Sequence, residues 1–331
     1  MTAKRSLGVL FGAALALGAV GGSALAHDPV TGKFLPKKYI ERMAQALQNI
    51  EALGTLEETR GIFEPMFQWP PTYKKLRVCF MGGSDDVRLA IKELANVWII
   101  KEVGIGFDWG NAQVPRSCEP DKRLDHIRIS FDQPGYWSAL GTAALHYYRL
   151  DEATLNLQGF DQLTGDQIRQ ERPAGIVYHE FGHALGFHHE HQSPASTCDA
   201  EFDWDYIYKT FAEPPNAWDK ATVDNNMRVL WDPDALMTEY DPKSVMKYYF
   251  DAKMFKDGEK AKCYSPGEND TISQLDYDTL IYMYPASLDK WVSNYNSRRE
   301  QFKALWDKAQ ANGNTKSVTI NYLDAFYPPL Q

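Results

Sequence analysis

The stretch HEFGHALGFHHEHQ (residues 179–192) packs five of the chain's eight histidines into fourteen positions. The residues leading into it, RPAGIVY (172–178), begin an apolar face of Ile176, Val177, Phe181 and Leu185 at helical spacing, which predicts a helix through the segment. Residues four apart on a helix differ by about 40° around the axis and about 6 Å along it. His179 and His183 therefore face the same way, close enough for both imidazoles to reach one metal ion. Zinc–nitrogen bonds are about 2.0–2.1 Å, so the ligand atoms must converge tightly. Glu180 stands one step round, beside the ion without binding it, where a base takes a proton from metal-bound water.

Three protein ligands plus a water make a catalytic zinc, whereas four close a structural one. In an unbroken helix His189 would lie about 15 Å beyond His179, too far to share an ion. Gly186 can take a left-handed conformation, ending the helix and turning the chain back. Helix geometry alone leaves His188, His189 and His191 open as the third ligand. The pattern H-E-x-x-H-x-x-G-x-x-H, the metzincin signature, fits His179, Glu180, His183, Gly186 and His189. The Met-turn that it requires downstream is supplied by Ser-Val-Met-Lys-Tyr at 244–248. A lone HExxH arises by chance on amphipathic helices; two motifs in the correct order do not sit well with that plainer reading. His188 and His191 are then expected to be solvated or hydrogen-bonding, and His126 and His146 structural.

HEFGHALGFHHE followed by SVMKY resembles the astacin family of metzincin zinc endopeptidases, in a secreted member of bacterial type. The resemblance extends to GYWSALG (135–141), TLNLQGF (154–160), FDWDYI (202–207) and ISQLDYDTLIYMY (272–284), covering residues 73–285. It implies one Zn2+ per chain held by His179, His183 and His189, with Glu180 as general base. It implies that Tyr248 is a further, displaceable ligand that steadies the transition state, and that Met246 forms an apolar floor. Ser138 and its neighbours would lie on an edge strand that pairs with an extended protein or peptide substrate. The Glu after the third histidine, here Glu190, contacts the new N-terminus in mature family members. Lys247 stands where the family usually has His, and Tyr136 where it often has Cys. Residues 27–72 hold no clear copy of the family's inhibitory motif. A zinc protein that binds peptides without cleaving them, and a zinc hydrolase of a cell-wall amide, are the alternatives; the presence of Glu180 with all three histidines favours cleavage.

The rest of the chain frames this core. Lys4 and Arg5 precede LGVLFGAALALGAV and then Ala24-Leu25-Ala26, the order of a secretory signal peptide, so cleavage near Ala26 and a secreted or periplasmic location are expected. Removing residues 1–26 takes away two cations, leaving 33 − 44 = −11 from the 35 basic and 44 acidic residues of the 331-residue chain. Such acidity repels nucleic acid and anionic lipid, and neither is an expected partner. An exported chain meets oxidising conditions, and of three possible pairings Cys79–Cys118 and Cys198–Cys263 are favoured, each lying within one half of the chain. Residues 27–72 read as a helical segment (36–53 shows the stripe), either a pro-segment or a helix packed on the body. The catalytic domain is read as 73–285 and a helical extension as 286–331. Strands are expected at KLRVCFM, IGFDWG, HIRISF and TLNLQGF, and a helix capped by Ser84 or Asp85 running to about Glu102. Beyond residue 190 periodicity weakens, with helices at WDYIYKTF and SQLDYDTLIYMY and one or a pair in the tail, ended by Gly313. The expected fold is α+β and metzincin-like. It has an N-terminal mixed β-sheet with two long helices, an active-site cleft and a mostly irregular C-terminal subdomain with a helix, in a monomer.

Overall fold

Alternating apolar residues make β1 (Lys75–Phe80), whose Leu76, Val78 and Phe80 are buried on one face. The computed structural model describes residues 67–111, 113–119, 125–193, 195–214, 217–229 and 239–311. The expected signal segment, the stripe at 36–53 and the stop at Gly313 lie outside them. Ser84 caps α1 (Asp85–Ala95), its side-chain oxygen accepting from the Val87 amide. α1 stops short of Glu102 because the chain tightens into a 3-10 turn, Asn96–Trp98. That turn sends Trp98 inward, where its indole donates to the Tyr178 carbonyl at 2.9 Å.

Strands β2 (Gly106–Asp108), β3 (Ile127–Ser130), β4 (Tyr136–Ser138) and β5 (Leu155–Leu157) complete a five-stranded sheet in the order β2–β1–β3–β5–β4. The first three pairings are parallel, and β4 runs antiparallel on β5 with Trp137 opposite Asn156. β4 forms the sheet's edge, where the astacin resemblance puts Ser138. Asn156 holds the turn that delivers it: its Nδ2 donates to the carbonyls of Gln133 (2.8 Å) and Gly135, and its Oδ1 accepts from Ser130 Oγ at 2.7 Å.

Helix α2 (Glu171–Ala184) carries the histidine stretch, with Ile176, Val177 and Phe181 in the first core. The Phe181 ring lies 5.2 Å from that of Phe107 and 5.9 Å from that of Trp109. Truncating such a buried ring costs about 3–5 kcal/mol, so this contact fixes how α2 sits on the sheet. A second core joins α3 (Trp204–Ala212) and α4 (Lys220–Met227) to Tyr248, Phe250 and Phe255. α4 was not expected: Val223 and Met227, one turn apart, are all it buries of apolar character. Both favoured disulfides form, Cys79–Cys118 beside β1 and Cys198–Cys263 inside the second core.

Two further helices close the order. α5 (Gln274–Met283) starts at a capping box of Ser273 and Asp276. α6 (Leu288–Ala311) is one helix rather than a pair, and its Trp291 and Tyr295 enter the first core. Phe67, Gln68, Trp69 and Pro70 are also buried, ahead of the expected start of the body near Tyr73. No helix among the described residues is long and apolar enough to cross a membrane.

His126 ties this N-terminal stretch to the sheet. Its Nδ1 accepts the Arg77 amide at 2.9 Å and its ring packs on Trp69 and Tyr73. Burial, with the Arg77 and Arg128 cations beside it, holds its pKa down to about 4. Between that value and the ordinary one near 6.5 the unfolded chain takes up a proton that the folded ring refuses. This contribution to stability is therefore present above about pH 6.5 and lost as pH falls toward about 4. Replacing His126 by Asn, which keeps an acceptor and cannot titrate there, should shrink the stability difference between about pH 6.5 and 4.5 by on the order of 2 kcal/mol in urea melts.

Candidate active site

α2 ends in the turn that the third histidine needs. Gly186 takes φ 104°, and the amides of Gly186 and Phe187 return to the carbonyls of His183 (2.8 Å) and Gly182 (3.0 Å). A side chain at position 186 would be strained in this left-handed region. The reversal brings the His189 ring centroid to 4.5 Å from that of His183 and 5.4 Å from that of His179, which are themselves 4.7 Å apart.

Every one of the three rings is held at Nδ1. His179 donates to the Val245 carbonyl at 2.7 Å, His183 to the Phe187 carbonyl at 2.7 Å, and His189 to Gln192 Oε1 at 3.0 Å. Placing the protons on Nδ1 leaves each Nε2 as a donor of its lone pair. The Nε2 atoms of His183 and His189 are 2.9 Å apart, and one ligand atom from each of the three lies within 4.8 Å of the others. It is the one such metal-capable group among the described residues. Three neutral imidazoles converging through one nitrogen each are the donor set of a catalytic zinc, so the residues present fit that ion.

The other two histidines of the stretch are not solvated: His188 and His191 are both buried, and neither joins the group. His191 Nε2 donates to the Asn226 carbonyl at 3.1 Å, while its ring stacks 5.3 Å from that of His189. Glu180 is fully buried next to His179, and burial pushes its carboxyl well above the usual range.

The Met-turn is hung from α5. Asp276 accepts from Ser244 Oγ at 2.6 Å and from the Val245 amide at 3.0 Å, and Ser244 Oγ accepts from the Met246 amide at 3.0 Å. The Glu190 amide then donates to the Met246 carbonyl at 3.0 Å, joining the turn to the histidine stretch. Met246 is buried against Gly182, where an added Cβ would overlap its sulfur. Tyr248, also buried, places its ring centroid 4.0 Å from that of His189 and 5.6 Å from that of His179. Burial raises its hydroxyl pKa well above the usual value, with the carboxylates of Glu180 and Glu268 adding. Lys247 is buried too, its Nζ donating to the Tyr248 carbonyl (3.1 Å) and Ser265 Oγ (3.0 Å), and burial lowers it to about 8. Glu190 accepts the Asp241 amide at 2.8 Å, and burial pushes its carboxyl up to about 8.

A three-histidine centre between a buried carboxyl and a Met-turn is the arrangement of a metalloendopeptidase of metzincin type. Residues 168–285 match the family model for astacin, a peptidase family. A structure of myroilysin superposes with a TM-score of 0.54 at 29% identity, covering 66% of this chain and 96% of that one. A second myroilysin crystal structure gives 0.45 at 28% identity over 77% and 98% of the two chains. High choriolytic enzyme 1, a hatching-enzyme zinc protease from Oryzias latipes (medaka fish), gives 0.39 at 19% over 65% and 92%. No curated protein sequence matches. Over residues 168–285 the chain is similar to the astacin family of zinc endopeptidases, and its three-histidine group fits the zinc site of such an enzyme. Astacins are zinc enzymes acting on proteins or peptides, and the histidine group is where such an ion would be held.

Sequence reasoning missed the partners of the three rings. Val245 and Phe187 act through backbone carbonyls, which leave no mark on residue identity; Gln192, three residues after His189, is the one partner with a readable side chain. Gly182 also escaped notice. Its replacement by Ala should push Met246 and the Met-turn away from α2, lowering stability by about 1–3 kcal/mol in chemical denaturation and weakening zinc retention against a chelator.

Proposed function

We propose that His179, His183 and His189 hold one Zn2+ through Nε2 and that Glu180 and Tyr248 are the catalytic residues of peptide-bond hydrolysis. The observation that carries this reading is the convergence of three Nδ1-fixed imidazoles beside a fully buried carboxyl. Bound zinc would lower the pKa of a coordinated water to about 7. Glu180 takes the proton of the attacking water and delivers it to the leaving amine. Its dry surroundings favour the protonated form, which makes it a stronger base than an exposed carboxylate once the cation offsets part of that bias. Tyr248, kept as a neutral phenol by burial, donates to the oxyanion that develops on the scissile carbonyl. The outer edge of β4 offers backbone partners to an extended peptide, fixing its register.

The protein is exported after cleavage near Ala26 and works as a monomer; its two disulfides suit an oxidising compartment. The catalytic unit begins at or before Phe67, because Phe67–Pro70 are part of its interior. Asp241 occupies one oxygen of Glu190, the residue that the resemblance directs to a new N-terminus.

Incubating the full chain with an unfolded protein, with and without a chelator, should give cleavage that the chelator abolishes and zinc restores. Glu180→Gln should lower kcat by about 10²–10⁴ while keeping one equivalent of zinc. Zinc retained by the wild-type chain with no peptide cleaved would favour the peptide-binding or cell-wall alternatives. Tyr248→Phe should lower kcat by about 10²–10³ with KM little changed, measured by steady-state cleavage of a fluorogenic peptide.

A further inference from the structure

The corner at Gly186 is permitted by glycine but not enforced by it. A residue without a Cβ has the widest choice of backbone conformations, so something else must hold φ at 104°. The end of α2 also leaves carbonyls without intrahelical partners. Two of these are taken by side chains from opposite ends of the described chain. Trp69 Nε1 donates to the Ala184 carbonyl at 2.9 Å, and the Tyr284 hydroxyl donates to the Leu185 carbonyl at 2.6 Å. The same hydroxyl accepts the Trp69 amide at 3.3 Å, so both its donor and acceptor sides are used.

We infer that Tyr284 is a positioning residue for the metal ligands His183 and His189, and that α6 belongs to the metal site because it backs Tyr284. The bond to the Leu185 carbonyl fixes the peptide plane between Leu185 and Gly186, the plane that sets φ of Gly186. The Phe187 carbonyl, two residues along, receives His183 Nδ1, and two residues later the chain presents His189. A rotation of that one peptide therefore disturbs two of the three rings. Tyr284 is fully buried, and the Trp291 ring of α6 meets it edge-on at 5.4 Å. α6 lies wholly beyond the family-matched residues 168–285, so this support comes from a part of the chain that the match does not cover.

The inference rests on the zinc-site reading above, and the experiment separates the two. Zinc affinity of the full-length chain is measured by competition with a chromogenic chelator, the visible spectrum is recorded for the cobalt-substituted protein, and melting is followed without metal. Tyr284→Phe should weaken zinc binding about tenfold or more and shift the cobalt bands. Trp291→Phe should move both readouts in the same direction by less. Tyr208→Phe removes a hydroxyl of the second core that bonds Asp224, and should leave both readouts unchanged. Should Tyr284→Phe not fold, Trp69→Phe, which removes the indole N–H on Ala184 and replaces the indole by a smaller ring, carries the same expectation for zinc affinity and the cobalt bands. Tyr284→Phe that binds zinc like wild type, with an unaltered cobalt spectrum, overturns this inference alone. A wild-type chain that binds no zinc overturns the site reading with it.

Discussion

A helix can offer two imidazoles to one ion but not a third, and the arrangement of this protein follows from that limit. His179 and His183 come from consecutive turns of α2, so the remaining ring must arrive from a chain that has reversed. The reversal at Gly186 satisfies the last amides of the turn and directs His189 back over the helix end. Much of the surrounding structure serves to make that bend rigid. Phe181 seats α2 on the sheet from one side, the Met-turn closes the other, and aromatic residues from 67–69 and 284 fill the space behind the corner. Met246 belongs to the first core and Tyr248 to the second, so the histidine group stands where these two cores meet.

The centre is also buried, and burial has consequences for every polar group within it. An uncompensated polar group there would be costly, and the hydrogen bonds show how that cost is met. Asp276 accepts from Ser244 Oγ and from the amides of Val245 and Ser273, enough to carry a carboxylate whose pKa burial still raises to about 6. Its position in the first turn of α5 adds the favourable end of the helix dipole. Lys247, in the place where astacins usually have His, reaches Ser265 and the Tyr248 carbonyl, so the departure changes local bonding and leaves the histidine group intact.

What could be read from residues alone follows physical lines. β1 and α2 carry period-two and period-3.6 stripes and stand where those stripes put them, and α5 forms at SQLDYDTLIYMY as expected. The signature histidines converge as a glycine bend allows, and both cysteine pairs lie within the halves expected of them. β4 spans three residues, too few for any period, and was visible only through the astacin resemblance. Phe67, Gln68 and Trp69 precede residue 73, where the catalytic domain is read to begin, yet they are buried, because partners such as Ala184 lie more than a hundred positions downstream. His188 and His191 are read as solvated or hydrogen-bonding; both are buried, and His191 takes the hydrogen-bonding course on the Asn226 carbonyl. The burial of His191 depends on Asn226, Tyr248 and Phe250, and no local window contains those.

The wide sequence span of the helix-end clamp has a bearing on the order of events at birth. Ala184 and Leu185 meet partners 115 and 99 positions away, and Trp291 comes later still. A nascent chain that has just exposed its histidines already holds Trp69 but still lacks Tyr284 and Trp291. The clamp on the end of α2 is therefore complete only once the chain has been made as far as α6.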